Sequence, residues 1–189
     1  MVLEGNDREV IAACRRGERD AFRALFETYQ DRVYSIALRY SGDRATALDI
    51  AQDVFLKLLS GIHRFKGGQA FQGEAGFDAW LYRVVVNCCL DRQRRSRMLM
   101  FVEDFFDSLR GSDCTVLQDL MREEMQQHVQ GAVAKLSPEH RLVVVLRYTE
   151  GLSYDEIAAA LGCSPGTVAS RLNRAHKILE RRLRGIKYA

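Results

Sequence analysis

The sequence predicts an all-α protein of two small helical domains joined by an acidic linker, the C-terminal one a helix-turn-helix. Three observations predict it. The 189 residues hold only 2 Pro and 14 Gly, too few breakers for a strand-and-turn architecture. Apolar residues recur at three- and four-residue intervals over most of the chain, the period of amphipathic helices. Near the C-terminus, Ser153-Tyr154-Asp155-Glu156 and Ser164-Pro165 are two helix starts with only Gly162 as a stop between them. The reading divides the chain into a domain over 1–95, a linker over 96–115 and a second domain over 116–189.

Taken in order, Asp7 and Asp20 are candidate N-caps, each followed by an apolar pattern. After Asp20, residues Phe22, Leu25, Phe26, Tyr29, Val33, Ile36 and Tyr40 mark the inner stripe of a long helix, which Ser41-Gly42-Asp43 breaks. A second helix is expected to turn Leu48, Ala51, Phe55 and Leu58 inward and Asp49, Gln52, Asp53 and Lys57 outward. Gly61 to Gly76 reads as a loop, with Gly67, Gly68 and Gly73 between and no period. A third helix follows from Phe77 through Asn87 to Arg95. Its Val84-Val85-Val86 triplet suits a strand, but no breaker flanks it and the helical pattern continues.

Ser96 to Thr115 reads as irregular and acidic. Ser137-Pro138-Glu139 then opens a helix with Leu142, Val145, Leu146 and Tyr148 inward, closed by Gly151. The capping box at Ser153 starts a short helix with Ile157, Ala158 and Leu161 inward. In the helix that restarts at Ser164-Pro165, Val168, Leu172, Ala175, Leu179 and Leu183 form the buried stripe.

Charge distribution says more than the net charge of +3. Pro165 to Lys187 carries seven basic residues against Glu180 alone, whereas Phe101 to Glu124 carries seven acidic residues against Arg110 and Arg122. A basic terminal helix behind an acidic connector suits a nucleic-acid binder. No apolar run approaches the roughly 20 residues needed to span a bilayer. Met1 to Asp7 lacks the basic-then-apolar order of a signal peptide. A cytosolic protein without membrane insertion is expected. The five Cys are an odd count, Cys88 and Cys89 are adjacent, and no C-x-x-C occurs, so reduced thiols are expected and neither a zinc site nor a cofactor is.

Three groups of residues carry candidate chemistry. On the last helix, Thr167, Ser170, Arg171, Asn173, Arg174 and Lys177 lie around the surface away from the buried stripe. Arg can bond a guanine edge in bidentate fashion, Asn an adenine, and Ser or Thr a base or phosphate. The bland alternative is a helical hairpin with a solvated basic face. In the third helix, Trp80, Arg83, Asn87, Asp91 and Arg94 interleave aromatic and basic groups that can stack on unpaired bases and hold a backbone. Phe77 and Trp80 are more often core residues. On the second helix, Asp49 and Asp53 are four residues apart with Gln52 between them; without a third ligand nearby they suit a solvated or docking face rather than a metal.

Ala21-Phe22-Arg23-Ala24-Leu25-Phe26-Glu27, Asp49-Ile50-Ala51-Gln52-Asp53-Val54-Phe55, Ala79-Trp80-Leu81-Tyr82-Arg83 with Asn87, and Gly166-Thr167-Val168-Ala169-Ser170-Arg171-Leu172 together resemble the successive signatures of the extracytoplasmic-function (group IV) sigma factors of RNA polymerase. The resemblance runs through nearly the whole chain outside the linker, in the family's order. It implies that 1–95 is a region 2 domain and 116–189 a region 4 domain. Asp49, Gln52 and Asp53 would then dock onto the β′ clamp helices of core polymerase. Trp80, Arg83, Asn87, Asp91 and Arg94 would read and open the −10 element as single strand. Thr167, Ser170, Arg171, Asn173, Arg174 and Lys177 would read the double-stranded −35 element.

The same resemblance implies contact with the β subunit and a linker threading toward the RNA path. Sequestration by an anti-sigma factor is a habit of that family which no residue here displays. The Gly61–Gly76 loop is a few residues longer than the family's usual, and Asn173 stands where the family varies; both bear on promoter identity. A ligand-sensing helix-turn-helix regulator would need a pocket-forming or phosphoacceptor domain. A nucleic-acid enzyme would need clustered carboxylates or a phosphate-cradling Gly loop. The pattern supplies neither.

Overall fold

The computed structural model describes residues 7–65, 74–106 and 122–184. Eight α-helices and one short 3₁₀ turn, with no strand, make up these residues. Helix α1 (Asp7–Arg15) leads into α2 (Arg19–Ser41) through Gly17, whose φ of 87° lies in the left-handed region that glycine alone enters without strain. Helix α2 starts earlier than expected. Glu18 occupies the N-cap position without a capping side-chain bond, because its carboxylate accepts from Arg16 Nε at 2.7 Å; Asp20 sits inside the first turn, where its charge suits the helix dipole.

Ser41-Gly42-Asp43 breaks the chain as expected. Gly42 takes a φ of 76° and donates to the Leu38 carbonyl, and Asp43 caps α3 (Arg44–Gly61) by accepting from the Thr46 amide at 2.7 Å. That bond is the main reason the Asp43 carboxyl is held below its ordinary pKa. The 3₁₀ turn Ile62–Arg64 follows, and His63 Nδ1 lies 2.8 Å from the Arg15 carbonyl, tying the end of α1 to the end of α3.

Helix α4 (Glu74–Phe106) is longer at both ends than the sequence suggested. It begins before Phe77 and continues through Phe106, so the first part of the segment read as irregular linker is helical; residues 107–121 lie outside the described residues. The valine triplet is helical, as preferred. Then come α5 (Arg122–Ala134), α6 (Pro138–Thr149), α7 (Tyr154–Leu161) and α8 (Pro165–Leu183).

Three inward assignments are corrected. Phe26 is 39% exposed, because α2 turns Leu25 and Tyr29 to the core instead. Leu48 is 60% exposed, because α3 turns Ala47, Ile50, Val54, Phe55 and Leu58 to the core instead. Tyr148 is 66% exposed, and α6 buries the unbroken run Leu142 to Leu146. That run is buried on all sides because α6 lies between α8 and α2. Helices α2, α3 and α4 pack around Val33, Ile36, Leu58, Phe77 and Leu81, and α6, α7 and α8 around Leu142, Leu146, Ile157 and Leu172. The two sets are in contact: α6 rests on α2 and α7 on α4, so the buried residues form one continuous core.

Candidate functional site

The helix-turn-helix is built by its caps. Ser153 Oγ accepts from the Glu156 amide at 3.2 Å while Glu156 Oε2 accepts from the Ser153 amide at 2.7 Å, completing the reciprocal box. Hydrogen bonds from the Ser153 side chain and backbone hold the Glu156 carboxyl below its ordinary pKa. Gly162 ends α7 with a φ of 64°, and the Cys163 amide donates back to the Ala158 carbonyl at 3.0 Å. Ser164 Oγ accepts from the Thr167 amide at 3.2 Å and opens α8 with Pro165 in its first turn.

On α8, Val168, Leu172 and Ala175 are buried, and Ser170, Asn173, Arg174 and Lys177 are exposed together along the opposite face. Two of the expected readers differ. Thr167 is half-buried, and its hydroxyl lies 2.9 Å from Ser164 Oγ, engaged in the cap. Arg171 has its side chain only 25% exposed and points toward Glu139 of α6 at 4.0 Å. The surface beside Arg174 and Lys177 also carries His176, whose Nε2 lies 2.8 Å from Tyr148 Oη. His140 of α6 is close enough to Arg174 and Arg171 to feel both charges. Partial burial first, then those guanidiniums, push its pKa down.

On α4, Arg83, Asn87 and Arg94 are exposed, and their spacing puts them on one stripe. Trp80 is half-buried in an aromatic cluster with Phe65 at 5.0 Å and Phe77 at 5.7 Å between ring centroids. Its indole lies so close to Gly61 that a Cβ there would sit 3.2 Å from the ring, which explains glycine at the end of α3. Asp91 is tied to Lys57 at 3.0 Å and lies 3.8 Å from Arg94. Arg83 reaches the C-terminal end of α7, its guanidinium 3.8 Å from where a Cβ on Gly162 would stand.

On α3, Asp49 accepts from Arg92 Nη2 at 2.6 Å and Asp53 is half-buried beside α4, where its charge helps raise the pKa of the Cys88 thiol behind desolvation, the main cause. Gln52 faces elsewhere. It lines an apolar groove of about 610 Å³ between α2 and α3, with Phe22, Phe26, Tyr34, Leu48, Phe55, Leu56 and Leu59. Leu48, Leu56 and Leu59 are about half exposed or more, and Phe26 is 39% exposed.

The family model for Sigma-70 region 2 matches residues 25–98, and that for Sigma-70, region 4 matches residues 126–179, together more than half of the chain. The ECF RNA polymerase sigma-E factor of Escherichia coli K12 is 31% identical over 190 residues, 94% of each chain. This chain belongs to the ECF sigma factors. The RNA polymerase sigma-H factor of Pseudomonas aeruginosa is 29% identical, covering 97% of this chain and 96% of that one. Among solved structures, CnrH in complex with the cytosolic domain of CnrY has a TM-score of 0.66 at 25% identity, over 96% of this chain and 99% of that one. The sigma factor RpoE of Bartonella quintana, in complex with the anti-sigma factor NepR, shares the fold with a TM-score of 0.67 at 22% identity, over 88% of this chain and 98% of that one.

In this sigma factor the two acidic residues that looked like a docking pair are half consumed by α3–α4 packing, and the exposed apolar groove was missed. A signal for it stands in the sequence. Helix α3 carries Leu48, Leu56 and Leu59 beyond the apolar residues one core stripe needs, and that excess marks a second apolar face. No helix among the described residues is long and apolar enough to cross a membrane.

Proposed function

We propose that this sigma factor binds core RNA polymerase through the α2–α3 groove, reads the −10 element with α4 and the −35 element with α8, and performs no catalysis itself. The observation that carries the proposal is the exposed row Ser170, Asn173, Arg174 and Lys177 on a helix fixed by caps at the end of a helix-turn-helix. The row presents donors and acceptors suited to base edges and phosphates on the helix such a fold offers to a major groove.

Within the −10 stripe, Arg83, Asn87 and Arg94 are the contacting residues, Asp91 orients Arg94 and Lys57, and Trp80 supports α4 from the aromatic cluster. At the core-docking surface, Gln52 contributes from the groove, with Asp49 and Asp53 flanking it. The occupant is the β′ clamp helices of polymerase, with region 4 reaching the β subunit. The anti-sigma factor NepR bound to RpoE and the CnrY domain bound to CnrH support a protein partner of that kind here. A cytoplasmic site of action follows from this role.

Transcription from a promoter library by core polymerase, with and without the protein, tests the reading. New start sites that appear only with the protein support it. An unchanged transcript profile together with no binding to core overturns it.

A further inference from the structure

Core packing does not account for Tyr148. Its side chain is 66% exposed at the end of a helix that buries Leu142 to Leu146 without a break. Its hydroxyl lies 2.8 Å from Nε2 of His176 on α8, and the two ring centroids stand 5.8 Å apart. His176 is exposed as well. Two surface rings from different helices thus hold each other in place, and neither is part of the core.

The backbone beneath the pair is fixed on both sides. Arg147, next to Tyr148, donates to the Leu152 carbonyl at 2.8 Å and lies 5.5 Å from the Tyr154 ring, which pins the end of α6 to the start of α7. On α8, Leu172 and Ala175 beside His176 are buried where that helix packs on α6 and α7. Side chains held on such a base lose little conformational freedom when they bind.

We propose that Tyr148 and His176 form a phosphate-binding pair that carries the DNA-contacting surface from α8 onto α6. The pair acts on the DNA that α8 reads, so its role rests on α8 being the −35 reader, and it adds a contact that reads no base.

Position points to a phosphate. His176 follows Asn173 by three residues, which places it about 4.5 Å further along the axis and about 60° round it. It therefore flanks the reading row. A helix in a major groove presents its reading row to base edges and its flanks to the phosphates that border the groove. Glu180, the one acidic residue of α8, is taken up by Arg184 at 3.0 Å.

The donors point the same way. With the imidazole proton on Nε2, that N–H donates to Tyr148 Oη, and the phenol hydrogen is free to donate outward. With the proton on Nδ1, the phenol donates to Nε2 and the Nδ1–H is the free one. Either arrangement leaves one spare donor at the surface, held in place by the other ring.

The test uses holoenzyme, the full chain with core polymerase, on a promoter that the library selects. Phosphates across the −35 element are replaced one at a time by neutral methylphosphonate, and binding is measured for wild type, Tyr148→Phe and His176→Ala. Wild type should lose several-fold in affinity at one phosphate that borders the groove. Each variant should start about fivefold weaker on every base sequence and lose nothing further at that phosphate. Both side chains are exposed, so the melting temperature should stay within a few degrees of wild type.

Variants that bind as tightly as wild type overturn the pair. So do variants that bind more weakly yet keep the wild-type loss at every phosphate, because the two rings then only brace α8 on α6. Arg174→Ala on base variants of the same promoter reports on the −35 reading itself. If it changes base preference while the pair variants change nothing, the pair fails and the reading stands. If no base preference responds, the reading fails and the pair with it.

Discussion

Asp49 on α3 accepts a 2.6 Å hydrogen bond from Arg92 on α4, a pair that spans the two helices rather than facing a partner. Its side chains are 50% and 38% exposed, so the pair contributes little stability, about 0–1 kcal/mol. It does change which substitution tests docking. Reversing Asp49 would alter the α3–α4 seam as well as the surface, whereas a groove residue changes the surface alone.

Leu56→Glu is accordingly expected to weaken core-polymerase binding at least tenfold while leaving the melting temperature within a few degrees of wild type. Leu56 is 56% exposed, so little packing is lost, but a charge would stand in the apolar groove and be left unpaired under a partner. Asp49→Ala should cost binding less. Titration of labelled protein with core polymerase measures both, and an unchanged affinity for Leu56→Glu would remove the groove from the docking surface.

For −35 reading, the exposure of α8 ranks the arginines. Arg174→Ala is expected to cost about 1–3 kcal/mol and to relax preference at one base position, as a base-edge contact does. Arg171 is held toward Glu139 and is less exposed, so Arg171→Ala should weaken all sequences alike and lower the salt slope by about one. Affinities for −35 duplex variants at two salt concentrations separate these outcomes. The opposite ranking would mean that Arg171 leaves Glu139 on binding DNA.

The turn itself gives a stability test. Gly162 is in the left-handed region, and an added Cβ would meet only the Arg83 guanidinium, at an ordinary 3.8 Å. Gly162→Ala should therefore destabilise through backbone strain alone, by about 1–2 kcal/mol. Ser164→Ala should cost about 1 kcal/mol by leaving the Thr167 amide without its cap. Urea melts check both. A neutral Gly162→Ala would mean that the turn relaxes without the left-handed residue.

What the sequence made legible is what local rules decide. The caps at Ser153 and Ser164 and the stops at Gly42 and Gly162 depend on residues within four positions, and each holds in the structure, whereas Asp20, read as a cap, lies inside the first turn of α2. The stripe on α8 is clear because its basic residues and its apolar residues fall on opposite faces. Helix α3 was harder, since it has apolar residues on two faces and periodicity alone does not say which one meets α2 and α4. Trp80 was ambiguous for a similar reason, as its place is set by Gly61 and Phe65 across the loop. The seam between Glu150, Tyr82 and Arg32 joins residues 68 positions apart and more, and no window of sequence displays it.

The last prediction concerns pH and the same seam. Burial is the main cause that raises the Glu150 carboxyl above its ordinary pKa, opposed by the Tyr82 hydrogen bond and by the charges of Arg32 and Arg39. Asp78 also faces this cluster, through Arg32. A carboxyl with a higher pKa in the folded form than in the unfolded one binds its proton more tightly when folded. That contribution to stability is fully present below the ordinary glutamate value of about 4.3 and is lost as pH rises through the raised one. As pH falls from about 7.5 toward about 4.3, the stability of the wild type in urea should therefore rise relative to Glu150→Gln, which has no titrating group there. If the gap between wild type and variant stays constant over that range, Glu150 is not the group that titrates with folding.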